Sequence, residues 1–140
     1  MAAFNKINMF AYNLGIGHHI FGTNVHNVAL STASPGNNNS VITDITQITA
    51  AAGYSANGAN AALAIAQAVN VANITGTNVV FTASGNNMGN AQNNVRYATL
   101  FNTVSPFNLI GWWDYGSAIT VADTETFTVA WGATVLTITI

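Results

Sequence analysis

The chain has 140 residues, of which half are hydrophobic, with two basic and four acidic side chains, three histidines and no cysteine. This length is typical of a single domain and is enough to bury a core. Two basic residues are too few for a phosphate-binding surface, so the composition argues against nucleic-acid binding. The lack of cysteine excludes disulfides, thiolate catalysis and cysteine-ligated zinc.

Charged residues are unusually scarce, because about a quarter of the residues in an average domain are charged. Here they make up 4% of the chain. Asn, Ser, Thr and Gln supply the polarity instead, and these groups pair across an interface at a lower desolvation cost than charges. The composition therefore predicts one subunit of a larger assembly, in contact with copies of itself. The charged set is Lys6, Asp44, Arg96, Asp114, Asp123 and Glu125.

The N-terminal segment, residues 1–22, is rich in aromatic residues but has no clean period. Glycines and histidines interrupt it, unlike a signal peptide, and no apolar run reaches the roughly 18 residues of a membrane-spanning helix. We expect no membrane contact. We predict that residues 1–22 form a short helix or an arm that reaches a neighbouring subunit, and that residues 23–140 form one β-sandwich domain.

The first clear element is a strand from Asn24 to Thr32, where side chains alternate with a period of two before a Ser-Pro-Gly-Asn turn. Asp44 then predicts the cap of a short helical turn over residues 45–49. Residues 59–72 are ambiguous, since their alanines favour helix whereas their larger aliphatic residues have strand spacing. We favour strand.

The rest of the chain is a series of short strands separated by turn-forming residues. This spacing predicts a mainly β fold, either an antiparallel β-sandwich or a jelly-roll-like barrel. The last strand is free of charge and would promote aggregation as an exposed edge, so we expect it to be covered. The strands are predicted at 76–83, 94–101, 108–114 and 124–131, with shorter ones near 117–121 and 134–140.

Candidates for catalysis or metal binding are few. Asp123 and Glu125 share one side of a strand, and such a pair binds cations in some proteins, but a turn aspartate followed by a solvated glutamate explains them more simply. We interpret His18, His19 and His26 as polar residues of a loop and a strand start, with zinc on the threefold axis of a trimer as the alternative. We therefore predict a non-enzymatic protein with no catalytic residue, no cofactor and no metal.

Adjacent aromatic residues give the candidate interface. Trp112 and Trp113 point to opposite faces of a strand, which predicts that one lies in the core and the other at an interface or rim. A carbohydrate-binding platform built on these rings is the alternative. The full set of candidate interface residues is Phe4, Phe10, Tyr12, Phe21, Trp112 and Trp113.

A hairpin of strands 94–101 and 108–114 predicts a structural pair, Arg96 and Asp114. If Phe101 faces Leu109, then Arg96 lies directly across from Asp114. That face also carries Ala98, Leu100, Ile110 and Trp112, so we expect the pair to be at least partly buried and costly to break. The alternative is two unrelated surface charges.

Residues 109–131, LIGWWDYGSAITVADTETFTVAW, resemble the pattern LIGxxDYGSxITxAxGExFTV of a family of small tailed-phage structural proteins. Residues 27–35 are similar to its KVALTxxAP and residues 45–58 to its ITEIxxxxGYxxGG, so the resemblance spans most of the chain. Asn27 stands where the family has Lys, and Thr124 where it has Gly. The resemblance implies a virion structural role and brings no catalytic residues.

Charge scarcity and this resemblance together lead to one expectation about function. We expect a capsid decoration (cement) protein on the exterior of a tailed-phage head, made in the host cytoplasm, trimeric and in contact with the major capsid protein. The alternative is a tail or fibre-like self-assembling protein, and a carbohydrate-binding module comes after both.

Overall fold

The computed structural model describes residues 2–89 and 94–139, which form antiparallel strands with one short helix and a 3-10 turn. The mainly β prediction is confirmed: the sheets form a sandwich rather than a closed barrel, with a short helix near the N-terminus. The elements are β1 (Phe4–Lys6), α1 (Phe10–Gly15), β2 (His26–Ser31), β3 (Ala59–Asn60), β4 (Ala64–Ala68), β5 (Val71–Thr75), β6 (Val79–Thr82), β7 (Val95–Asn102), β8 (Leu109–Ile119), β9 (Thr126–Val129) and β10 (Leu136–Thr139), with the 3-10 turn at Ile42–Asp44.

Two layers make up the sandwich. One is a five-stranded sheet of order β1-β8-β7-β2-β3. The other combines a three-stranded sheet, β10-β5-β4, with a two-stranded sheet, β6-β9. In the second layer β5 pairs with β10 and β6 pairs with β9. Since β6 follows β5 and β10 follows β9 in the chain, these pairs form one long antiparallel ribbon, and β4 pairs with β5 at one end of it.

The main core lies between these layers. Val28 and Leu30 of β2 point into it because alternate residues of a strand share a face. From the other layer Phe81 and Trp131 enter the core, and Trp131 donates its indole N–H to the Thr77 carbonyl at 2.6 Å. A buried indole needs such a partner, so this hydrogen bond fixes the ring.

The opposite face of the five-stranded sheet is also covered. Ala29, between the two core residues of β2, packs there with Phe101 and Leu109. Ile42 and Ile45, from the loop that follows β2, close this second cluster. Because both faces are buried, the three central residues of β2, Val28, Ala29 and Leu30, are all apolar, and its polar residues lie at the two ends.

Most predicted strands are present with shifted ends. The segments predicted at 76–83, 94–101 and 124–131 correspond to β6, β7 and β9. The segments at 108–114 and 117–121 were wrongly divided: Tyr115 and Gly116 continue β8 instead of forming a turn. The segment at 134–140 contains β10, apart from residue 140, which lies outside the described residues.

Residues 59–72 are strand rather than helix, as predicted. They contain β3, β4 and the start of β5, and β4 and β5 form a hairpin with Asn70 at φ +59° in its turn. The helical turn predicted over residues 45–49 was wrong. The turn that the structure contains ends at Asp44. The Asp44 carboxylate accepts the Ser40 N–H at 2.8 Å, so the last residue of the turn stabilises its beginning.

Of the two alternatives predicted for residues 1–22, the structure contains the short helix, α1, and part of the segment also joins the chain's own sheet. β1 pairs antiparallel with β8, with Phe4 opposite Trp113. Phe10 and Phe21 are buried in the main core. The segment is therefore part of the sandwich, and removing it would expose core residues rather than release a free arm.

The backbone is strained at Thr124, in the turn before β9. Thr124 has φ +71° in the turn before β9, a conformation that is costly for a β-branched residue and favourable for glycine. We expect Thr124→Gly to raise the free energy of unfolding by about 0.5–1 kcal/mol, after allowance for the greater entropy of glycine in the unfolded chain. Urea denaturation measures this.

The matched control is Thr126→Gly in the neighbouring strand β9. We expect it to lower stability, since glycine weakens a regular strand. A loss of stability in both variants would show that Thr124 carries no relievable strain.

Candidate functional site

Arg96 and Asp114 form the predicted ion pair. The guanidinium Nε and a terminal nitrogen donate to the two carboxylate oxygens at 2.9 and 3.0 Å, a bidentate geometry. The hydrogen bonds from Arg96, and next the Gly116 N–H, hold the pKa of Asp114 below its usual range. The Arg96 guanidinium also lies over the Tyr97 ring, 5.1 Å from its centroid.

The register of the hairpin explains how the pair forms. Phe101 faces Leu109 as predicted, but an irregularity on β8 at Ile110 then places Leu100 opposite Gly111. Tyr97 consequently faces Asp114. Arg96 lies opposite a second irregularity and reaches the carboxylate through its long side chain. The same shift brings Trp113, not Trp112, onto the core face.

The pair is partly buried, as expected, but its side chains are still 37% and 34% exposed, so the large cost of breaking a fully buried pair does not apply. Solvent screens a pair at this exposure, so we expect Arg96→Ala and Asp114→Ala each to lower the thermal unfolding midpoint only slightly. A double-mutant cycle should give a small coupling that disappears at high salt. A large coupling that persists in high salt would contradict this assignment.

The six candidate interface residues divide into three groups. Phe10, Phe21 and Trp113 are buried in this chain's own core and are not free to contact a neighbour. Phe4 and Trp112 are half-buried, and Phe4 stacks against Trp113 with ring centroids 4.7 Å apart. Tyr12 remains 60% exposed.

The two tryptophans divide as predicted between core and rim. Trp113 packs against Trp131 with centroids 5.0 Å apart. Trp112 donates its indole N–H to the Asn37 side chain at 3.2 Å and meets Tyr97 edge-on. The Trp113 ring is buried, and the Trp112 ring is hydrogen-bonded to the loop that follows β2. The two rings therefore do not form a joint sugar-binding platform.

The side chains of Glu125 and Asp44, and the backbone of Asp123, serve local structure. Glu125 accepts the Ala122 N–H at 3.0 Å, and the Asp123 N–H donates to the Asn87 side chain at 3.0 Å. Asp44 accepts backbone N–H groups of the 3-10 turn, first that of Ser40, which lowers its pKa. These contacts fit the simpler interpretation of Asp123 and Glu125 as turn and strand-start residues.

Two histidines are buried in a stack of aromatic rings. His19 lies between Phe10 and Phe21, and Phe21 stacks on His26 with centroids 5.0 Å apart. Burial lowers the pKa of His19 and that of His26 to about 4 each. His26 is 1% exposed, so it cannot meet its copies on a trimer axis; His18, by contrast, lies at the surface beside Asn108.

An exposed apolar patch surrounds α1. Met9, Tyr12 and Ile16 follow one another at the three- and four-residue spacing of one helix side, and Ile20 comes next along the chain. Their exposed fractions are 40%, 60%, 49% and 49%. We call these four residues the helix patch. Of these four residues only Tyr12 was predicted to lie at an interface. The sequence does not show which side of the helix faces the core, and exposure depends on that.

A second exposed feature is the β4–β5 hairpin, which sequence analysis did not single out as functional. All five β4 residues are exposed, and Val69 in the turn is 89% exposed. Such a strand ordinarily gains stability by packing one face, which β4 does not do here. The sequence feature that could have drawn attention to this hairpin is the lack of charged residues from Ile45 to Val95.

A cavity of about 300 Å³ opens between the layers near the ion pair. Trp113, Tyr115 and Phe127 provide aromatic walls, and Arg96 lies at its side. The backbone from Phe127 to Ala130 borders it, so this cavity runs beside β9.

No protein-family model, curated protein or solved structure matches this chain in the comparisons with known proteins. No helix within residues 2–89 and 94–139 is long and apolar enough to cross a membrane. In the same two ranges, no group of three or more His, Asp or Glu side chains could hold a metal ion.

Proposed function

We propose that the protein is a non-enzymatic virion subunit of a tailed phage, a decoration protein on the outside of the head. The observation that carries this proposal is the surface: the exposed apolar side chains of the helix patch and of the β4–β5 hairpin lie in stretches without Asp, Glu, Lys or Arg, while Asp44, Asp114 and Glu125 are hydrogen-bonded locally. A surface of this kind is suited to burial against other subunits. The resemblance of residues 109–131 to phage structural proteins points the same way.

The helix patch is the surface that we assign to the capsid shell. Its four apolar side chains stand on a segment anchored by Phe10 and Phe21 in the core, so contact would need little rearrangement. Lys6 is the nearest charge in sequence, and no further charge follows it until Asp44. The partner would be the major capsid protein, whose exposed surface recurs over the shell.

The test uses purified protein mixed with isolated heads and, separately, with isolated tails from phage that lack this chain. We expect cosedimentation with heads, lost in Tyr12→Lys and Ile16→Lys. The matched control is Val80→Lys, at an exposed apolar position on β6 that should leave binding intact. Binding to tails alone would contradict the decoration role, as would equal binding by all variants.

A tail or fibre-like polymer is the second candidate. The observation that favours it is that, within residues 2–89 and 94–139, β4 and β10 each have one edge without a partner strand, which would allow subunits to add without limit. Negative-stain images of the purified chain separate the two roles. Filaments or stacked rings favour the polymer, and discrete small oligomers favour decoration.

A further inference from the structure

The three-stranded sheet has two edges that the described residues leave without a partner strand. Its order is β10-β5-β4, so β10 and β4 each pair with β5 on one side only. The unpaired sides present backbone N–H and C=O groups, which are templates for another strand.

Neither edge carries the features that natural proteins use to prevent strand addition. Those features are lysine, proline, bulges or an inward-pointing charge. β4 reads AIAQA and β10 reads LTIT, with regular pairing to β5 in both. The nearest charge to β10 in sequence is Glu125, before β9, and β4 lies in the charge-free stretch from Ile45 to Val95.

The two edges also match each other. β4 has five residues and β10 has four, and all of their side chains are uncharged. They lie on opposite sides of one sheet, so a copy of the chain that offers β4 to a second copy's β10 extends that sheet from one molecule into the next. A partner of different chemistry would have no charged group on either edge to recognise.

We propose that β4 of one copy adds to β10 of the next, joining subunits head to tail through a continuous sheet. The contact is heterologous, so it closes into a ring when the rotation between copies allows and forms a filament otherwise. The expected trimer is one such ring. This inference rests on the proposed role as an assembly subunit, and it names the surfaces that carry self-association.

The chain's lack of cysteine allows a direct test by thiol cross-linking. One preparation carries Ala64→Cys, Ala66→Cys or Ala68→Cys, which together cover β4 in any register, and the other carries Thr137→Cys on β10. A short bis-maleimide is added to each preparation alone and to each mixture, over concentrations up to the millimolar range. We expect β4-to-β10 cross-links in the mixtures to exceed β4-to-β4 and β10-to-β10 products.

Substitutions then test the mechanism. Ala66→Lys should abolish association measured by sedimentation velocity, whereas Ala66→Gln, of similar length without charge, should retain it. Thr137→Lys should act in the same way, with Thr137→Val as its control because both lose the Thr137–Asn73 hydrogen bond. Mixing Ala66→Lys with Thr137→Lys should restore a one-to-one dimer, since each variant keeps the edge that the other lacks.

Circular dichroism checks that each exposed-site variant folds. Predominant β4-to-β4 cross-links would overturn the proposal in favour of a twofold contact, and a chain that shows no cross-link in any mixture would overturn it outright. A chain that binds heads as a monomer would refute this inference and leave the decoration role standing. If the protein forms the predicted cross-links but the resulting oligomer does not bind heads, the decoration role alone is refuted.

Discussion

Acidification from about pH 7.5 to about pH 5 is expected to lower the free energy of unfolding by about 2 kcal/mol for each of His19 and His26. In the folded chain burial lowers both pKa values from 6.5 to about 4. At pH 5 both imidazoles are therefore mostly protonated in the unfolded chain and mostly neutral in the folded chain. Stability conferred by these rings is fully present above pH 6.5 and is lost as the pH falls toward 4.

Chemical denaturation at the two pH values measures this effect in the parent chain and in His19→Phe and His26→Phe. Carboxylates titrate alike in parent and variants, so the difference in pH dependence isolates each histidine. We expect each variant to lose about 2 kcal/mol of the acid sensitivity. His19→Gln and His26→Gln serve where phenylalanine is not accommodated. An unchanged pH dependence would show that the rings are accessible to protons in the folded chain.

Gly58→Ala is expected to destabilise the chain by about 4 kcal/mol or more, enough to prevent folding in a marginally stable domain. Gly58 has φ +66° and packs directly on the backbone of β2, where an added Cβ would overlap the Val28 carbonyl oxygen. That backbone cannot move freely, because Val28 pairs with Leu100 in the centre of the five-stranded sheet.

The matched control is Gly15→Ala at the end of α1, where an added Cβ meets no atom within 4 Å and φ is not positive. We expect this variant to be neutral or slightly stabilising, since alanine has the higher helix propensity. Thermal and urea unfolding of both proteins measure the contrast. Similar stability of the two variants would mean that the loop before β3 can move away from β2.

The loop that Gly58 closes also shows why an amide-rich sequence suits this fold. Tyr54, buried under the loop, accepts the Leu30 N–H at 3.1 Å and donates to Gln47 at 2.7 Å. Burial raises the pKa of Tyr54 to about 12. The same Gln47 oxygen accepts the Asn57 N–H at 2.9 Å. Uncharged groups thus satisfy a strand edge without the desolvation cost of ions.

Local patterns in the sequence were sufficient for most of the individual strands, but not for β1 or for the full length of β8. The alternation around β2 and the turn residues between later strands depend on neighbours in the chain, and they predicted the sandwich. The β-spacing within residues 59–72 correctly outweighed the helix propensity of its alanines, because β4 pairs with β5 in a hairpin. The position of β1 depends instead on β8, about a hundred residues away, and no local period reveals such a pairing.

The two residues of the candidate site were predicted correctly, but the degree to which they are exposed was not. Arg96 and Asp114 meet because a hairpin places them near each other in any neighbouring register. Their exposure results from irregularities on β8 that the apolar run from Leu109 to Trp113 does not signal, since that run fits either register. The free edges of β4 and β10 also depend on strand order, which only the fold determines.

The copy number of this chain in purified virions tests the central claim most directly. Quantitative mass spectrometry, with isotope-labelled peptides from this chain and from the major capsid protein, gives the ratio of the two in intact particles. The decoration role predicts a copy number close to that of the major capsid protein, with loss when heads are stripped of their outer proteins. A few copies per particle, or copies that remain with detached tails, would contradict it.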